Sequence, residues 1–416
     1  MKIYYGTLGC KVNQYETELI RENLSRWGEV TVNDISKCSV AVINTCAVTA
    51  EAESKSRSYI RKIRKQNPDC KIIITGCYAQ RKNNDLKLID DNSVVADNVF
   101  KFNLGEYWSK IFSKNAAFKT VNTISSFSGH SRAFVKIQDG CDSFCSYCIV
   151  PYLRPNLNSK PVREVIEEIE SLLKSGYKEI VLCGIRMGKY SFNENGKNYN
   201  LTDMLRSIVK IKGDFRIRLS SLEIVDITED LISLIKNSNK ICHHLHLPIQ
   251  SGSDKVLEKM RRPYTVKRFT QITENLYKKL PKLSISTDVM VGFPGETDKE
   301  FNETYETIKG LGFSRLHIFP FSVRSGTDAE KYKEKPNPET VKVRTKKLRE
   351  LHKKLEELFI EKQLPFLQRV LPESSESGLT DSYIRVKLET SNRKGFLRGY
   401  LKREHLSNLL RFFNES

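Results

Sequence analysis

The run Cys141-Asp142-Ser143-Phe144-Cys145-Ser146-Tyr147-Cys148 sets three thiols in one short loop, with three and then two residues between them. Thiolates so spaced can hold three corners of an iron–sulfur cube and leave one iron without a protein ligand, an open coordination site where chemistry can take place. A zinc knuckle is the plainer use of such a loop. Structural zinc asks for four protein ligands, however, and no Cys or His stands close enough after Cys148 to be an obvious fourth.

Three more cysteines repeat a position. Lys2 to Leu8, Val40 to Asn44 and Ile72 to Thr75 are short apolar, β-branched-rich runs, and they end in Gly9-Cys10, Thr45-Cys46 and Gly76-Cys77. Each run is followed by a helix-compatible segment, the alternation of an open parallel α/β sheet whose ligands gather at the carboxyl ends of its strands. Three strands would thus deliver Cys10, Cys46 and Cys77 to one edge, a second three-thiolate site. Three buried structural cysteines are the alternative, since Cys is commonly interior. Cys38, Cys70, Cys183 and Cys242 follow no such pattern and read as structural.

The elements that must position these loops follow in order. Between Lys55 and Lys65, Tyr59, Ile60 and Ile63 share one helical face, and Arg57, Arg61 and Arg64 belong to an opposite face that is almost wholly cationic. That face is either solvated or a phosphate-contacting surface beside the second cysteine set. Residues 100–131 lack a clear period and read as a linker, with a domain boundary near Phe127 to Arg132. Six strands then alternate with helices, starting near 133, 179, 216, 244, 284 and 315, which predicts a partial (β/α)6 TIM-like barrel with its site at the strands' carboxyl ends.

Candidate cofactor contacts stand at those ends: Gly184 for close backbone approach, Ser220 and Glu223 for a ribose or amino group, Gln250, and the turn containing Gly292 and Pro294 for an adenine ring. His244 and His246 share a strand face and read as barrel-lining residues rather than metal ligands. A basic amphipathic helix spans about 336–363, and the tail alternates short strands with glycine turns, a small β-barrel of a shape used to hold RNA, with Tyr383 and Arg385 as candidate contacts. The division expected is 1–126, 127–360 and 361–416.

Lys and Arg number 69 against 50 Asp and Glu, a formal charge of +19 over 416 residues, which points to a polyanionic partner and to nucleic acid ahead of a membrane surface. No apolar run reaches membrane-span length and no signal peptide stands at the start, so the ten cysteines are expected reduced or metal-bound, in the cytoplasm.

The Cys141 loop, with an aromatic residue, Tyr147, before its last cysteine, resembles the radical S-adenosylmethionine (SAM) signature. Thr7-Leu8-Gly9-Cys10-Lys11-Val12-Asn13-Gln14-Tyr15-Glu16-Thr17-Glu18, Asn44-Thr45-Cys46-Ala47-Val48-Thr49 and Gly76-Cys77-Tyr78-Ala79-Gln80 resemble the methylthiotransferase family within that class. So do Arg216 to Glu223, the turn at 292–297 and a tail similar to a TRAM domain. The resemblance covers essentially the whole chain.

It implies a 4Fe-4S cluster on Cys141, Cys145 and Cys148 whose fourth iron chelates SAM, the source of a 5′-deoxyadenosyl radical, and an auxiliary 4Fe-4S cluster on Cys10, Cys46 and Cys77. SAM would serve as radical initiator and methyl donor. The wording around Cys10 is similar to the branch that converts N6-threonylcarbamoyladenosine at position 37, beside the tRNA anticodon, to its 2-methylthio derivative. The branch acting on isopentenyladenosine usually has Gln-Met after this cysteine, and the branch acting on a ribosomal-protein aspartate has Pro-Lys-Asn. A non-catalytic RNA-binding metal protein is the reading from another class.

The implied partners are the tRNA anticodon stem-loop and an electron donor such as flavodoxin or ferredoxin, with the sulfur donor left open and the chain expected to be a monomer. Two departures stand out. Arg154 is kept as an expected RNA contact, but Asn158 stands where the family carries a further cation, and Arg186 replaces a smaller polar residue.

Overall fold

The computed structural model describes the chain except residues 102, 113–118, 389–394, 404–409 and 415–416. Val40–Thr45 is buried along its whole length, as a strand covered on both faces must be, and it forms the middle of a parallel sheet. The order is Val30–Thr31, Lys2–Thr7, Val40–Thr45, Lys71–Gly76, Val94–Val95. The two-residue edge strands are too short to carry a period and were not expected. Helices Lys11–Arg26 and Ala50–Gln66 cross between the first strands, the second capped by Thr49, whose hydroxyl accepts from the Ala52 N–H.

All six expected barrel strands form: Arg132–Asp139, Glu179–Gly184, Arg216–Leu219, His244–His246, Ser284–Val291 and Arg315–Pro320. They pair in parallel as two groups of three, and parallel bridges Ile217–Ile241 and Ser221–His246 join the groups into an open half-barrel. A hairpin, Ser191–Glu194 with Lys197–Asn200, follows the second strand in the chain and lies against Asn158–Ser159. After the helix Pro338–Gln363, five short strands close into a small barrel. The fold is α/β with a parallel N-terminal sheet, a central half-barrel and a C-terminal β-barrel.

The linker expected over 100–131 is corrected. Leu104–Phe112 is a helix, and its Trp108 is fully buried among Ile3, Val42, Ile73 and Phe100 on the N-terminal sheet. Ile124 and Phe127 then enter the half-barrel's core. The spacing of Leu104, Trp108 and Ile111 is helical, but over nine residues in polar surroundings it was too brief to read as a period.

The half-barrel floor is sealed by charge. Arg216 and Arg218 open the third strand, and Glu179 between them accepts from both guanidiniums at 2.6 and 2.7 Å. Arg216 also donates to the carbonyls of Arg369 and Leu379 and to Asp381, and Arg218 to the carbonyls of Thr380 and Asp381, all in the C-terminal barrel. Burial alone would raise the Glu179 carboxyl, but Arg218, Arg216 and Arg132 outweigh it and hold it far below the usual range. Glu179→Gln leaves two guanidiniums facing each other without their anion and is expected to cost about 3–5 kcal/mol, read as a lower urea midpoint. A depressed carboxyl contributes its stability above its unfolded pKa, so the loss should be equal at pH 5 and pH 8.

Candidate active site

Three adjacent parallel strands end together, and each ends on a cysteine. Cys10 caps the helix Lys11–Arg26, Cys46 follows Val40–Thr45, and Cys77 opens the short helix Cys77–Arg81. Gly9 and Gly76 precede two of them with φ of +108° and +100°. A side chain at Gly9 would stand 3.1 Å from the Cys46 sulfur, and one at Gly76 2.4 Å from the Thr45 carbonyl, so the chain can reach the two thiol positions only through glycine. Burial first, then the charges of Cys77 and Cys10, push the Cys46 thiol up to about 11. Burial also raises Cys10, with Arg154 opposing it.

The Cys141 loop is held from several sides. Cys141 N–H donates to the Arg154 carbonyl at 3.0 Å, Ser146 N–H to the Met260 carbonyl at 3.1 Å, and Ala329 N–H to the Ser146 carbonyl at 2.8 Å. Arg262, which the sequence reading did not single out, places Nη1 3.2 Å from the Cys145 sulfur and pairs with Glu223. Burial pushes the Cys148 thiol up to about 12, and Cys145 and Cys141 add to the effect.

Each triad thus brings three free thiols together, two of them buried at the N-terminal edge and one in the loop, the donor set in which metal ions take the protons' place. Among the described residues no three Cys, His, Asp or Glu side chains gather as tightly as a single metal ion requires. A cube differs in spreading its three thiolates over separate irons. The donor sets fit iron–sulfur clusters.

A buried ion network ties the two triads' domains together. Glu16, from the Cys10 helix, accepts from Arg154 at 2.7 and 2.9 Å and from Lys136 at 3.0 Å, and pairs with Lys101. Arg154 and Lys136 also reach Asp139, at 2.8 and 3.1 Å. Burial works to raise Glu16, but the three cations hold it well below the usual carboxylate range. Three cations against two carboxylates leave one positive charge over. Burial, and then Arg154, lower the Lys101 ammonium although Glu16 opposes them. The Cys77 thiol lies in the field of both Arg154 and Lys101, so an anionic site on the Cys10 edge is electrostatically matched.

Further contacts bring the edges face to face. Glu53, in the first turn of the helix that follows Cys46, pairs with Arg81 and with Arg324 from the loop after the sixth barrel strand. Ile149 and Leu153, just past Cys148, lie in the same apolar cluster as Cys77 and Tyr78.

Other expected residues fall in different places. Ser220 Oγ and Gln250 Oε1 are buried at the ends of the third and fourth strands without a hydrogen-bond partner, as groups awaiting a ligand would be. Gln250 has φ of +64°. Tyr147 packs edge-on to Phe293, and Gly184 backs onto Gln138. The turn with Gly292 and Pro294 is closed on itself: Glu296 accepts from the Gly292 N–H, Arg344 pairs with Glu296, and Val341 fills the space beside Gly292.

Among the expected RNA contacts, Arg154 is corrected to a buried ion-pair partner, 5% exposed. Arg64 is pinned to Asp90 and to the carbonyls of Pro68 and Cys70, and Arg57 to Tyr78. Tyr383 stacks on His244 at 4.6 Å beneath Arg218, at the barrel floor. Arg61 and Arg385 are exposed, Arg385 paired with Glu373. Asn158 is exposed on a strand paired with Gln138 and Asp139, while Arg186 is buried and links Asp226 to Ser143 of the cysteine loop. Cys38 and Cys70, expected to be structural, are buried with sulfurs 3.2 Å apart.

Glu16→Gln should loosen the junction. The carboxylate contributes stability above its unfolded pKa near 4 that fades as the pH falls toward its depressed folded value. The variant should therefore melt lower at pH 7, by a cost of about 3–5 kcal/mol, with the gap to the parent narrowing as melts are run at more acid pH.

Two family descriptions match the chain: "Radical SAM superfamily" over residues 135–308 and "Uncharacterized protein family UPF0004" over residues 2–97. Threonylcarbamoyladenosine tRNA methylthiotransferase MtaB of Bacillus subtilis is 37% identical over 405 residues, 92% of this chain and 89% of the relative. A tRNA-2-methylthio-N(6)-dimethylallyladenosine synthase of Natranaerobius thermophilus is 34% identical over 89% and 86%. The SAM methyltransferase TsrM from Kitasatospora setae, solved with cobalamin and a [4Fe-4S] cluster, shares the fold at a TM-score of 0.57 and 13% identity, over 77% of this chain and 74% of TsrM. With more than a third of its residues shared along nearly its whole length, the chain belongs to the radical SAM family of tRNA methylthiotransferases, enzymes that work with an iron–sulfur cluster and SAM.

Proposed function

We propose that this chain converts N6-threonylcarbamoyladenosine at position 37 of tRNA to its 2-methylthio derivative. What carries the reading is the pair of cysteine triads at strand ends that the Glu16, Arg154 and Lys136 network binds to each other. The name and full-length similarity of the MtaB relatives support it. In this reading residues 1–126 carry the auxiliary cluster on Cys10, Cys46 and Cys77, residues 127–360 the SAM cluster on Cys141, Cys145 and Cys148, and residues 361–416 help grip the RNA.

The clusters and SAM supply, when bound, reductive cleavage of a sulfonium, sulfur for insertion into a C–H bond and a methyl group. The chain's own residues do the rest. Arg262 donates to the Cys145 sulfur and steadies its charge. Ser220 and Gln250, with their free polar atoms, are our candidates to bond SAM. Arg61 and Lys62, exposed on the helix behind the Cys46 edge, offer charge to the phosphate backbone. Electrons come from a flavodoxin- or ferredoxin-type donor, and the chain acts as a monomer.

Two clusters hold about eight irons. The triple variant of Cys141, Cys145 and Cys148 to Ala should keep about half of them and release no 5′-deoxyadenosine on reduction with SAM; unchanged cleavage would falsify the assignment. In a strain lacking this chain, mass spectrometry of tRNA nucleosides should show the 2-methylthio derivative gone and N6-threonylcarbamoyladenosine accumulating. Unaltered levels there would discard the substrate.

A further inference from the structure

Lys11 begins the helix Lys11–Arg26, beside Cys10. That is a poor position for a cation, because the unpaired N–H groups of the first turn already carry partial positive charge. Its neighbours are used up inside the fold. Asn13 donates to the carbonyls of Leu8 and Thr45, the Tyr15 hydroxyl donates to Glu168 across the domain junction, Glu16 anchors the ion network, and Thr17 donates to the Asn13 carbonyl. Lys11 is exposed, and among the described residues its ammonium has neither an ion pair nor a hydrogen bond.

Its helix packs on the first and second strands of the half-barrel. Val12, the next residue, is 2% exposed within the half-barrel's core cluster. The ammonium is within electrostatic reach of Cys183 on the second strand, His244 on the fourth, His317 on the sixth and Tyr383 on the floor. This interior is polar and short of anions. His244 Nε2 and His246 Nδ1 share the Ser286 hydroxyl at 3.0 and 2.9 Å, and the rings of His246 and His317 lie 5.3 Å apart. The Asp288 carboxylate is already 3.3 Å from His246. His244, 5% exposed, has no partner for Nδ1.

We propose that Lys11 reads the base: its ammonium pairs with the carboxylate that a threonylcarbamoyl group carries and a dimethylallyl group lacks, drawing that substituent into the polar mouth of the half-barrel. The proposal rests on the substrate reading above. It makes Lys11 a specificity residue at the lip of the Cys10 triad. His246 and His317 face the same space and can donate to the carboxylate or to the threonyl hydroxyl.

The test is binding of anticodon stem-loop RNA to the cluster-loaded protein by fluorescence anisotropy. The loops carry N6-threonylcarbamoyladenosine, its threonyl methyl ester, or unmodified adenosine. The parent should bind the acid about 10- to 100-fold more tightly than the neutral ester, the range for a hydrogen bond to a charged group. Lys11→Gln should lose that preference by binding the acid as weakly as the ester, and Lys11→Arg should keep part of it. A Lys11→Gln protein that still prefers acid to ester overturns the role of Lys11, and so does a parent that does not tell acid from ester while preferring both to unmodified adenosine. A parent that binds all three loops alike overturns the substrate reading instead. The acid and ester comparison in the parent needs no variant, so it stands even if a substitution disturbs the fold.

Discussion

The placement of the two cysteine triads relative to each other depends on one buried carboxylate. Glu16 comes from the N-terminal sheet's first helix, while Lys136 and Arg154 come from the first barrel strand and from the segment after the Cys141 loop. A buried ion network is a weak source of stability, since desolvation consumes most of what attraction returns. Its value is positional: each partner is fixed by several hydrogen bonds, so the domains meet in one arrangement, and misplacement of reacting groups by an ångström is costly.

Each triad is built differently for the same end. At the N-terminal edge three strands of one sheet each contribute a thiol, so the sheet's register sets their spacing. In the barrel a single loop contributes all three, and that loop has to be tied down from outside, by the carbonyls of Arg154 and Met260 and by Arg262. Arg186, unexpected from the family pattern, adds another tie by joining Ser143 to Asp226.

What could be read from the chain alone were features with a local signature. Six barrel strands declared themselves as apolar runs, and the cysteines by repeated position and spacing. The partners of those cysteines could not be read, because Glu16, Lys101, Lys136 and Arg154 lie up to 138 residues apart and meet only in the folded chain. Lys136 did leave a trace, a lysine between Val135 and Ile137 in a strand, and a charge in such a place signals a buried partner. Arg154 was misread for the complementary reason: a cation in a loop near a reactive site looks like a phosphate contact until its burial is known. The helix Leu104–Phe112 went unseen because two turns are too few for periodicity to stand out from polar neighbours.

The C-terminal barrel shows the same limit from the other side. A TIM-type barrel ordinarily fills its interior with branched apolar side chains. This half-barrel instead carries Arg216, Arg218, His244, Ser284 and Ser286 toward its floor, and buried guanidiniums in such a lining are tolerable only with acceptors to meet them. For the two arginines the acceptors are Glu179 within the half-barrel and, in the small barrel, the backbone carbonyls of Arg369, Leu379, Thr380 and Asp381 with the Asp381 carboxylate. The small barrel therefore completes the half-barrel's core rather than hanging from it as a separate module. Tyr383 follows from that role. Its ring covers His244 under the Arg218 guanidinium, where it closes the floor of the polar chamber.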